Sequence, residues 1–155
     1  MSALRRNENA CRIMQGGSES PIIHICSRGI APVIQIIGLY VFFHGHYSPG
    51  GGFQGGVLLA ASIILLRMTL GLAATQPIMP TRLNIPLAAI GALLFAGTGL
   101  AALLFGGNFL DYAAIPIPGL EPAYIRNYGI LFIELGVTMA VMTVLISIYD
   151  DLLGS

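Results

Sequence analysis

The chain has 155 residues, of which 55% are hydrophobic and only 9% charged, with a mean hydropathy of +0.82. A soluble domain needs less apolar matter and more surface charge, so the composition indicates a membrane protein. Seven basic residues, all arginine, offset seven acids for a formal net charge of +0, which leaves no electrostatic footprint for nucleic acid.

Residues 1–21 form a polar arm carrying Arg5, Arg6 and Arg12. They resemble the charged start of a signal peptide, but the apolar stretch that follows runs for about twenty residues, where a secretory h-region has roughly 7 to 15. It is therefore expected to stay as an anchor. A twin-arginine export signal fits less well, because NENACR follows Arg5-Arg6 in place of an apolar run. Cys11 and Cys26 lack any CxxC or Cys/His surroundings, so two free thiols are expected and no metal site or disulfide framework.

A helix rising about 1.5 Å per residue crosses roughly 30 Å of hydrocarbon in about twenty apolar residues. Four segments qualify: residues 22–43, 53–72, 85–105 and 128–149. Breakers bound them, namely Ser48-Pro49-Gly50, then Pro77 and Pro80, then Gly106-Gly107-Asn108, and finally Asp150-Asp151. Hydrocarbon forces every backbone group to pair internally, which makes these segments helices. The expected fold is an all-α membrane protein, a bundle of four transmembrane helices over residues 22–149 with a short tail at 150–155. Four spans put both termini on one side together with Arg82, and Arg28 and Arg67 lie near that side, whereas only Arg126 falls opposite. Both termini are thus expected to be cytoplasmic. The external connection at residues 106–127 holds Pro116, Pro118 and Pro122 and is expected to be irregular.

The other external connection, HGHYSPGGGFQGG, begins at His44. It contains a literal GxGxxG, but a membrane helix stands where a dinucleotide fold needs a strand, and no acid follows at the required distance. No P-loop sequence occurs. His44 and His46, two apart, turn about 200° from each other on a helix and lack a third ligand nearby, so no metal site is expected. They suit the outer end of the first helix, in contact with water or a partner chain, or a proton or cation role, since histidine changes charge near neutral pH. Gly52, Gly56 and Ala60 repeat at four-residue spacing, a small-residue stripe that lets another helix approach closely. Gly50 and Gly51 give the freedom for a tight reversal after Pro49.

GLYVFFHGHYSPGGGFQGGVLLAA, residues 38–61, resembles the MnhB subunits of the Mrp/Mnh-type multisubunit sodium/proton antiporters, and RNYGILFIELGVTMAVM, residues 126–142, is similar to the last helix of such subunits. Equivalent subunits occur in membrane-bound hydrogenases and related respiratory complexes. The resemblance implies a plasma-membrane subunit of an ion-translocating complex, with other membrane subunits, the lipid bilayer, sodium ions and protons as partners. It implies no cofactor and no catalytic residue in this chain. The polar arm and the proline-rich external loop match least.

Charges inside a span cost about 2.5 to 3.5 kcal/mol each and require a reason. Arg28 lies about 9 Å into the first helix, within snorkelling reach of the interface, and Arg67 is expected to act as an anchor in the same way. Glu134 has too short a stem to escape. A bridge from Arg67 to Glu134 is not expected, since their depths differ by roughly 12 Å. His44 is closer in depth, so His44 and Glu134 are the leading ion-pathway candidates, with His46 and Gln35 beside them; the alternative is a Glu134 that is neutral or bonded to a neighbouring subunit. Gln35, Arg28 and His24 share roughly one face of the first helix, suited to a partner helix or a hydrated route. Pro49, Gly50, Gly51, Gly52, Gly55 and Gly56 are the packing and turn candidates. Three other readings remain: the same subunit in the ion-pumping membrane arm of a membrane-bound hydrogenase or related redox complex, an autonomous four-helix transporter acting as a homodimer, and a purely structural assembly subunit.

Overall fold

Pro21 opens the first helix at a position whose N–H has no helical partner to lose, and α1 then runs over Pro21–Phe43. The computed structural model describes residues 20–45, 50–112 and 121–153. After the reversal, α2 covers Gly52–Leu70. It stops where Gly71 takes φ +86°, a left-handed conformation that only glycine adopts at little cost. A single turn, α3 (Leu72–Thr75), and a 3-10 turn (Thr81–Leu83) lead into α4, Asn84–Leu104. The last helix, α5, spans Pro122–Leu152.

The four long helices, α1, α2, α4 and α5, are each long and apolar enough to cross a membrane. Two boundaries differ from the sequence expectation. The first stretch of α5, from Pro122, takes up the end of a connection expected to be irregular, because proline at a helix start costs nothing there. At the other end α5 continues through Asp150 and Asp151, expected as breakers, because an arginine compensates Asp150. His46, Pro49, Pro116, Pro118, Cys11 and most of the polar arm lie outside the described residues.

The long helices pack side by side in the order α1, α2, α5, α4. Glycine sets each contact. A Cβ on Gly55 of α2 would stand 3.1 Å from the Gly38 carbonyl oxygen of α1. On the opposite side of α2, a Cβ on Gly56 would stand 2.9 Å from the Thr138 carbonyl oxygen of α5, and one on Gly52 would collide with the Glu134 carbonyl. In α5, a Cβ on Gly136 would lie 2.7 Å from the Gly91 carbonyl oxygen of α4. Such approaches bring backbones together where the hydrophobic effect gives no drive between helices. The expected stripe of Gly52, Gly56 and Ala60 therefore faces α5, and Ala60 is fully buried with Ile63, Met79 and Ile146 in the core.

Candidate functional site

Glu134 lies on α5 directly beneath the glycine reversal. Gly51 adopts φ +95°, and a Cβ on either Gly45 or Gly51 would stand 3.1 Å from Glu134 Oε1. Any larger side chain at those two positions would displace the carboxylate. The Thr138 hydroxyl, one turn further along α5, lies 2.9 Å from the Gly52 carbonyl oxygen and 2.7 Å from that of Glu134. It ties the start of α2 to the backbone that carries the acid. Glu134 is half-buried, with Oε2 shielded from solvent.

His44 follows the last residue of α1 and adjoins Gly45. Its Nδ1 lies 3.1 Å from the Tyr40 carbonyl oxygen, and its ring stacks on Tyr40 with centroids 4.1 Å apart. The side chain is exposed. The reversal thus gathers Gly45, Gly51, Gly52 and Glu134, with His44 at its rim and Gly50 against Val41. Gln35 and Arg28 stand elsewhere, lining a cleft of about 370 Å³ between α1 and α2.

Arg67 departs from expectation. It is 0% exposed, enclosed within the chain. Its Nη1 forms an ion pair with Asp150 Oδ2 of α5, and Nη2 donates 2.7 Å to the Met79 carbonyl oxygen. Asn84 Nδ2, at the start of α4, donates to the same Asp150 oxygen at 3.1 Å. Depth decides the partner: Arg67 sits in the last turn of α2, level with the end of α5, so the nearby carboxylate is Asp150. Burial at this end of the row favours the paired charge, because an unpaired guanidinium out of water would cost several kcal/mol, of order 3 to 5. Asp150 and Asn84 were overlooked in the sequence. The available signal was that Asp150 matches Arg67 in depth, whereas Glu134 does not.

Residues 22–147 match the family model described as the domain related to the MnhB subunit of Na+/H+ antiporter. The chain belongs to the MnhB family. It is 32% identical over 128 residues to the B subunit of the Na(+)/H(+) antiporter of Bacillus subtilis (strain 168), an alignment covering 78% of this chain and 89% of that one. It is 29% identical over 141 residues to the protein of the same name from Alkalihalophilus pseudofirmus (strain ATCC BAA-2126 / JCM 17055 / OF4), covering 86% of this chain and 95% of the relative. The MnhB match takes in the glycine reversal, Glu134 and Arg67, and stops before Asp150. With its four apolar spans this MnhB-family chain is a multi-pass membrane protein.

Proposed function

We propose that the chain is a non-catalytic membrane subunit of a multisubunit sodium/proton antiporter, and that Glu134 is where it meets the translocated ion. The observation that carries this reading is the carboxylate held in a mostly apolar span beneath a reversal whose glycines leave it room. A carboxylate inside a membrane segment is costly, and its usual use is in an ion or proton path. His44 stands at the outer rim of the same reversal and would meet the ion before Glu134 does. The names of the relatives support sodium ions and protons as the cargo. The arginines support a cytoplasmic location for the start of α1 and the end of α5.

The test is Glu134→Gln in the complete complex, with sodium/proton exchange followed by pH-sensitive dye quenching in inverted membrane vesicles. Exchange is expected to fall at least tenfold, about 1.4 kcal/mol in transition-state terms, with the subunits still co-purifying. Full exchange in that variant would remove Glu134 from the ion path and leave the chain as an assembly subunit.

A further inference from the structure

The cleft between α1 and α2 has the two parts that a phospholipid recognises. Arg28 and Gln35 supply polar groups from α1, and Pro32, Leu66, Leu70 and Ile78 supply an apolar wall. Arg28 is exposed and has no ion-pair partner among the described residues, and no carboxylate lines the cleft. Pro32 has no N–H to give, so the Arg28 carbonyl loses the helical donor it would otherwise have and remains an acceptor.

We infer that this cleft binds one anionic phospholipid from the leaflet at the N-terminal end of α1, with its phosphate on Arg28 and an acyl chain in the crevice. Depth is the first argument. Arg28 lies about 10 Å along the helix from Pro21, and a long arginine stem carries its guanidinium back toward the plane where phosphates are always present. Charge is the second. A zwitterionic lipid brings an ammonium that finds no acid among the described residues lining the cleft, whereas an anionic headgroup meets a guanidinium with no ion-pair partner among them and, if it carries a hydroxyl, the Arg28 carbonyl.

Size is the third argument. The crevice offers about 370 Å³, room for an acyl chain lying between the two helices. The helices flanking the crevice are held together by the Thr69 hydroxyl, which lies 2.9 Å from Ser27 Oγ, and by the Gly38–Gly55 contact. An acyl chain enters such a crevice without parting the two helices.

The experiment uses the intact complex, stripped of lipid in mild detergent and reloaded from nanodiscs of phosphatidylglycerol and phosphatidylcholine, with bound lipid counted by mass spectrometry. Arg28→Gln is expected to lower phosphatidylglycerol retention on the order of tenfold, the scale of one lost charge-assisted contact. Leu70→Trp, which fills the crevice and keeps the guanidinium, is expected to lower it as well. Arg82→Gln, at an exposed arginine outside the cleft, should change nothing. Equal retention by wild type and Arg28→Gln would overturn the proposal, as would loss of a neighbouring subunit in place of lipid. If Arg28→Gln does not assemble, a photocrosslinker at Ala74 in an otherwise unchanged chain decides the matter: an adduct with phosphatidylglycerol supports the site, and one with a protein overturns it.

Discussion

Asp150 and Arg67 are buried to 1% and 0% exposure, and each is the other's counter-charge out of water. Asp150→Asn leaves the guanidinium without its counter-charge and is expected to destabilise the chain by about 3 to 5 kcal/mol. Replacing both partners, Arg67→Met with Asp150→Leu, is expected to recover much of that loss, because two apolar side chains need no desolvation to be repaid. Thermal unfolding of the purified complex compares the three. Thr138→Val should cost about 1 kcal/mol by removing the hydroxyl that holds Gly52 to α5, read in the same assay. At this scale the sequence is informative where chemistry is local. Glu134 stands out because a carboxylate on a short stem inside a span cannot snorkel to the interface. Arg67 looks like a snorkelling anchor because nothing near it in sequence shows the distant acid it meets, and Asp150 reads as a helix stop for the same reason.

Among the helices, backbone approach is set by which glycines face one another. Gly56→Leu drives a branched side chain into the Thr138 carbonyl and Val141, and should separate α2 from α5; the amount of complex surviving native gel electrophoresis reports it. Gly97 is the control, with nothing within 4 Å of an added Cβ. Gly97→Ala should assemble normally and gain roughly 0.5 to 1 kcal/mol of helix stability, seen as a higher unfolding temperature. The span positions were legible from apolar length, and Gly52, Gly56 and Ala60 from their spacing. Their partner helix was not, since a stripe shows that something packs closely without showing what. Gly136 and Ala140 repeat the same four-residue spacing and mark the face of α5 that Gly91 of α4 meets, a pattern present in the sequence and overlooked.

Seen as a whole, the chain is a row with α1 and α4 at its flanks, each packed chiefly on one neighbour. Large apolar side chains such as Ile22, Ile25, Leu93 and Leu104 stay exposed along those flanks. Such surfaces suit lipid and other membrane chains. On its own in proteoliposomes the chain is expected to give no sodium-dependent proton flux, and a flux there would favour the autonomous transporter. Orientation has its own readout: Arg82→Cys in a background without Cys11 and Cys26 should react with an impermeant thiol reagent only from the cytoplasmic side. The number of spans was readable from composition. Their side-by-side order was not, because equal hydropathy along four helices leaves pairing to be settled by the few small and polar residues that match in depth.

The tie between Arg67 and Asp150 also constrains the order of biosynthesis. A ribosome delivers Arg67 to the membrane with α2, long before the end of α5 has been made. Until then the guanidinium lacks its partner from α5, a state that membrane quality control is expected to read. Completion of α5 erases it. Chains truncated before Asp150 are therefore expected to be degraded, and pulse-chase labelling should show them disappearing while full-length copies persist.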